Sequence, residues 1–258
     1  NSELINQLFS ELEKNKLFNI YKKSFTQTMM NNEYKLIFNC DFNNFITKKF
    51  FNKKMIKDYD SNAFTSIINH KRVDNNTAVQ VFTNRGPLAF LPISHTKTSI
   101  VYSVKGSEKI NFEKLVKKYN TKYDILNIQK PSSFKLKSFA LRSYYHKNIL
   151  AFGDLLHKLH PLAGQGFNMT LRDIKILLNL INDKESLGLK IDSSIYEEFE
   201  NKTKHLNFLF ASGNDFIYEF FNYKNNLNFP SKKILSYFNN NKLFKNLAIK
   251  YADQGLII

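Results

Sequence analysis

Apolar residues at Leu4, Ile5, Leu8, Phe9, Leu12 and Leu17 recur mostly at three- and four-residue intervals, so residues 2–18 are expected to fold as an amphipathic helix. The rhythm then changes. Residues 24–30 and 34–40 run apolar on either side of Asn31, Asn32 and Glu33, which is the pattern of a hairpin. Residues 45–59 are Lys-rich and irregular and take no assignment. Four strands are expected at 63–70, 77–83, 88–93 and 98–104, with turn residues at 74–76, 84–87 and 94–97; such spacing makes an antiparallel sheet. A short helix at 112–119 and a strand at 134–145 follow. Residues 148–173, NILAFGDLLHKLHPLAGQGFNMTLRD, then read as strand, loop and helix. The helix is expected to begin near Thr170, with Leu171, Ile174, Leu177, Leu178 and Ile181 as its apolar stripe. A longer helix over 195–221 and, after Pro230, a basic amphipathic segment over 231–253 complete a mixed α and β chain without internal repeats.

Composition narrows the function classes. The 258 residues can bury a sizeable core, as one large domain or two intimate ones, and no run approaches the roughly 18 apolar residues of a membrane-spanning helix. The chain starts at Asn1 and shows no targeting signal, which suggests a truncated start. A net charge of +16 invites a nucleic-acid reading, yet the only arginines are Arg72, Arg85, Arg142 and Arg172, and the lysines are scattered. With no recognisable DNA- or RNA-binding motif, no nucleic-acid partner is expected; a basic face near anionic lipid suits the charge better. Cys40 is alone, which excludes an intrachain disulfide and a cysteine zinc site, and it is expected to be a small buried hydrophobe. His157 and His160 lack a convincing third ligand, so they are expected to be hydrogen-bonded structural histidines and no metal is expected.

Of eight glycines and five prolines, Gly153, Pro161, Gly164 and Gly166 crowd into the strand–loop–helix stretch. Glycine lets a ligand approach the main chain, and amides ahead of a helix favour an anion or an electron-rich ring edge. Thr170 and Asp173 have the spacing of a capping box. The spacing is neither a Walker loop nor GxGxxG, because Met169 stands at the third glycine position. Asp154 directly follows the strand, where a carboxylate can accept hydrogen bonds from ligand hydroxyls or cap a turn. No GxSxG elbow is present. In a second segment, NRGPLAFLP, Pro87 and Pro92 bracket an apolar strand that is either a rigid wall or an edge strand of the core.

Taken together, GDLLHKLHPLAGQGFNMTLRD resembles the GDAAHxxHPxxGQGxNxGxxD signature of FAD-dependent aromatic hydroxylases. RGPLAFLPIS and SIVYSV resemble the substrate-side sheet of the branch that hydroxylates polyprenylphenols in ubiquinone biosynthesis, and Tyr196 through Phe221 is similar to its carboxyl-terminal pattern. The resemblance implies an α/β (α+β) fold with a partial FAD-binding Rossmann-like layer (1–50 and 131–185), an antiparallel substrate-side sheet (51–130) and C-terminal helices (186–258). It implies FAD bound by Gly153, Asp154, Pro161, Ala163, Gly164, Gln165, Gly166 and Asn168. Asp154 would meet the ribityl or pyrophosphate part, Pro161 the flavin ring, and the 164–166 amides its pyrimidine edge. Pro87, Leu88 and Phe90 would form the substrate-side wall.

The implied reaction uses NAD(P)H and O2 to add one oxygen to a prenylated phenol, with the cofactor carrying the difficult chemistry. Three departures bear on it. No GxGxxG unit precedes Asn39, so the chain resembles an amino-terminally incomplete member; Phe42 replaces the glycine of an ADG-like pattern at Cys40 and Asp41; and the usual small pair after Gly-Asp is Leu155 and Leu156. A flavin-free relative acting as a binding or scaffold protein, and a flavin hydroxylase of another aromatic substrate, stay open beside the main reading. The expected location is cytoplasmic, with peripheral contact at the inner face of a membrane or with a ubiquinone-biosynthesis complex.

Overall fold

The computed structural model describes residues 2–21, 34–106, 110–159, 165–222, 236, 240–243 and 245–246. They fall into two compact units, residues 1–35 and 36–258. The first carries helix α1 (Ser2–Glu13), shorter than the span expected, with Leu4, Ile5, Leu8, Phe9 and Leu12 all exposed.

In the second unit a large antiparallel sheet dominates. Strand β1 (Ile37–Asn39) and helix α2 (Phe45–Phe50) precede it, and β2 (Lys54–His70) is its 17-residue spine. The irregular stretch at 45–59 thus resolves into a short helix, a turn and the start of this strand. Around β2 stand β3 (Val79–Thr83), β4 (Gly86–Ser94), β5 (Lys97–Lys105), β6 (Ile125–Ile128), β7 (Ser132–Leu141) and, further along, β10 (His157–Lys158). The order is β10-β7-β2-β5-β4-β3, with β6 paired to the end of β2. β2 shifts register between Asp58 and Ser61, where Asp60 takes φ 46°. The β3–β4 turn depends on glycine: Gly86 has φ +139°, and a Cβ there would lie 2.1 Å from the Ser103 carbonyl oxygen.

Alternation gives this sheet two faces. Ile68, Leu88, Phe90, Ile100, Tyr102 and Val104 point to one, where Phe112 and Val116 of helix α3 (Phe112–Tyr119) cover them as the main core. Asn111 caps that helix by accepting from the Lys114 amide at 3.0 Å. On the other face, Tyr59, Ala63 and Leu136 meet Tyr218.

A smaller sheet comprises β1, β9 (Ile149–Ala151) and β8 (Tyr145–His146), with β9 in the middle. β1 pairs in parallel with β9, Ile37 opposite Ile149 and Asn39 opposite Ala151. The 34–40 strand thus has a partner more than a hundred residues away, and the 24–30 half of the expected hairpin lies outside the described residues. Helix α4 (Gln165–Ser186) begins five residues before Thr170. The Thr170 hydroxyl donates back to the Gly166 carbonyl at 3.3 Å instead of capping. Its buried face is Met169, Asp173, Leu177 and Leu180, against helix α5 (Ser194–Asn222), whereas Leu171, Ile174 and Leu178 of the expected stripe are exposed. Both faces are apolar, so periodicity alone did not say which one is packed. The 231–253 segment lies almost wholly outside the described residues.

α5 ties the two sheets together. At its start Tyr196 is fully buried, its hydroxyl donates to the Ile37 carbonyl at 3.2 Å, and its ring meets Phe38 edge-on at 5.9 Å. At its end Asp215 accepts from the Tyr59 hydroxyl and pairs with Lys57 at 3.1 Å, and the Tyr218 and Ser61 hydroxyls lie 2.9 Å apart. No described helix is long and apolar enough to cross a membrane.

Candidate active site

Parallel pairing places the ends of β1 and β9 at one edge. The Phe152 amide donates to the Asn39 carbonyl at 2.9 Å, so the chain leaves β9 beside the β1 end and enters a 3-10 turn at Gly153–Leu155. Gly153 stands at φ +64°, a conformation L side chains rarely adopt, and a Cβ built there meets nothing within 4 Å. Asp154 follows with an exposed side chain. Leu155 and Leu156, bulkier than the resemblance implies, are both fully buried in the protein interior. Their bulk therefore fills the core and leaves the Asp154 side open.

Helix α4 touches this 3-10 turn. Gln165 opens the helix, Gly166 has open space where its Cβ would be, and Asn168 is exposed one turn later. The first turn of a helix offers unpaired amides and the positive end of its dipole. Gly153, Asp154, Gly166 and Asn168 thus belong to two elements that touch; Pro161, Ala163 and Gly164 lie outside the described residues.

At the end of β1, Asp41 is exposed and accepts from the Asn43 amide at 2.8 Å. Its carbonyl accepts from the Thr47 hydroxyl, while the Asn44 side chain caps α2 by accepting from the Thr47 amide at 2.9 Å. Phe42 is not among the positive-φ residues, so replacing glycine there costs no backbone strain. Its ring meets Phe139 edge-on at 5.8 Å, with Lys54 Nζ 5.5 Å from its centre. Cys40, expected to be buried, is exposed. β1 is only three residues long, so the position just past it lies outside the sheet.

On β4, Leu88 and Phe90 sit at 0% and 3% exposure within the core under α3. They back the sheet, while Pro87 and Ala89 are half-buried on its opposite face. With Val101 opposite Ala89 and Phe82 opposite Pro87, that face is the one able to meet an apolar ligand.

The most buried polar contact near the edge went unnoticed in the sequence. His157 Nε2 and Asp173 Oδ2 are 2.6 Å apart, with side chains 3% and 1% exposed. A signal existed, since Asp173 interrupts the apolar positions Met169, Leu177 and Leu180 on the buried face of α4. His157 is the hydrogen-bonded histidine expected, and among the described residues no group of three or more His, Cys, Asp or Glu side chains could hold a metal ion.

The chain matches the squalene epoxidase family model over residues 34–251. The ubiquinone hydroxylase UbiL of Rhodospirillum rubrum is 29% identical over 141 residues, 51% of this chain and 33% of that protein. The 3-demethoxyubiquinol 3-hydroxylase of Escherichia coli is 28% identical over 158 residues, covering 57% and 40%. The chain spans well under half the length of these relatives. Of the solved structures, p-nitrophenol 4-monooxygenase PnpA from Pseudomonas putida DLL-E4 aligns with a TM-score of 0.65 at 9% identity, over 87% of this chain and 60% of that one. PqsL, a probable FAD-dependent monooxygenase from Pseudomonas aeruginosa, aligns at 0.53 and 13% identity, over 72% and 54%. The fold is that of these flavin monooxygenases.

Proposed function

The chain belongs to the squalene epoxidase family, and from that premise we propose that it acts as an FAD-dependent monooxygenase hydroxylating a polyprenylated phenol in ubiquinone biosynthesis, with NAD(P)H and O2 as co-substrates. The observation that carries this reading is the positive-φ Gly153 and the exposed Asp154 on a turn that α4 touches. Two glycines with free space beside their Cα atoms and an exposed carboxylate fit a flavin dinucleotide. When bound, FAD supplies reduction by NAD(P)H and oxygen transfer to an activated ring.

The chain's own residues do the positioning. Gly153 turns the backbone so that Asp154 stands at the strand end, where its carboxylate would accept hydrogen bonds from hydroxyls of the ribityl part. The amides that open α4, at Gln165 and Gly166, would favour negative charge on a bound flavin ring, and Asn168 would support the loop; the family resemblance adds Pro161, Ala163 and Gly164 to the residues that would hold the cofactor. The sheet face carrying Pro87 and Ala89 excludes water from the substrate. The ubiquinone hydroxylases among the relatives support the substrate class, and prenylation supports a peripheral membrane contact.

Titration with FAD, followed by quenching of flavin fluorescence, tests the reading on the chain alone and on the chain fused behind a GxGxxG-bearing βαβ segment of the family. Saturable binding is expected, together with its loss in Gly166→Val, whose side chain the fold has room for and the cofactor does not. A fused protein that takes up no flavin overturns the reading. NAD(P)H oxidation coupled to hydroxylation should be faster with prenylated phenols than with tail-free ones, and equal rates would remove the ubiquinone assignment.

A further inference from the structure

His157 lies on β10, just after the turn bearing Asp154, and Asp173 lies on the third turn of α4. Their bond therefore joins the strand entering the 160–164 segment to the helix leaving it. A second contact works beside it, for Leu159, Met169 and Phe210 form one buried apolar cluster. Apolar contacts tolerate sliding, but a 2.6 Å hydrogen bond does not. Moving α4 by one residue turns its side chains by about 100° and breaks the bond.

The pair is poorly built for stability. Among the described residues, buried His157 Nδ1 and Asp173 Oδ1 have no hydrogen-bond partner, and neither has Nε of neighbouring Arg172. The Arg172 guanidinium donates to Asn207 Oδ1 and lies 5.5 Å from the centre of the Phe210 ring. Apolar side chains of similar volume would avoid those unpartnered atoms. A polar pair retained at that cost suits a role in fixing geometry.

We propose that His157 is a positioning residue: through Asp173 it sets the rotation and height of α4, and so the aim of the Gln165 and Gly166 amides relative to Gly153 and Asp154. The aiming role rests on the FAD reading above; the fixing of α4 does not.

Hydrogen exchange on the full chain without flavin, and FAD binding to the fused protein, separate the two. In His157→Leu the hydrogen-bonded amides of residues 169–173 should exchange about tenfold faster, and FAD affinity should fall about tenfold. His157→Gln carries its amide nitrogen close to the place of Nε2 and should restore both, a rescue that mere packing would not give. Asp173→Leu breaks the same bond from the helix side and replaces His157→Leu if that variant does not fold. Unchanged exchange in a folded Leu variant overturns the proposal, and so does FAD affinity within about twofold of the parent. If the parent fused protein takes no FAD, the functional reading and the aiming role fall together, while exchange still decides whether His157 fixes α4.

Discussion

The large sheet and the small one solve different problems. β2 is hydrogen-bonded to β5, β6 and β7, and one sheet face is closed by α3 over a continuous core. The small sheet has three short strands, and aromatic contacts from α5 hold it: Tyr196 meets Phe38 at 5.9 Å, and Phe199 meets Phe152 at 5.8 Å. The first is closed and supplies rigidity. The second keeps an open edge, with a positive-φ glycine and an exposed carboxylate where its central strand ends. Binding sites belong at such edges because the backbone there still has unpaired groups to offer.

This contrast can be broken by substitution. The largest effect is expected from Gly86→Ala, which forces a Cβ against the Ser103 carbonyl in an unfavourable φ region and should cost about 3 kcal/mol or more of unfolding free energy. Leu88→Ala, in the α3-covered core, should cost about 3 kcal/mol in chemical denaturation and leave FAD affinity of the folded protein unchanged. If it weakened FAD as strongly as it weakened the fold, the large sheet would be part of the cofactor site.

Alkaline titration probes the seam between the sheets. Burial pushes Tyr144 up to about 12, with the Asp173 and Glu200 carboxylates adding to the shift. Burial, then the Asp215 carboxylate, also hold Tyr59 above the usual phenol range, and burial does the same for Tyr196. The folded state keeps these phenols neutral, so their contribution is intact below pH about 10 and lost as pH rises through about 12, on the order of 2 kcal/mol for Tyr144. Melting temperature should fall over that window, and less steeply in Tyr144→Phe.

The smallest stability effect belongs to Asp154→Ala. As an exposed side chain it should change unfolding free energy by less than about 0.5 kcal/mol while lowering FAD affinity about tenfold. A large loss of stability there would show that the open edge is structural after all.

How much was legible depended on the range of the signal. The strands at 79–83, 86–94 and 97–105 were readable within two residues because alternation and turn residues are local, while the first nine residues of β2 were not. The start of α4 was misplaced by five residues because Thr170 and Asp173 imitate a cap; the structure gives Thr170 a bond to Gly166 and Asp173 one to His157. Leu88 and Phe90 were correctly placed on a strand, but which face α3 covers depends on packing that alternation does not encode.

The sequence by itself determined the local chemistry: a strand ending in Gly153 and Asp154, a glycine-bearing start to a helix, and a chain with one cysteine. These follow from φ preferences and periodicity, which act within a few residues. Only the tertiary structure decided that β1 lies parallel to β9, that Leu155 and Leu156 turn inward, and that His157 reaches Asp173. Those outcomes depend on which distant surfaces bury one another, and burial is a property of the whole fold.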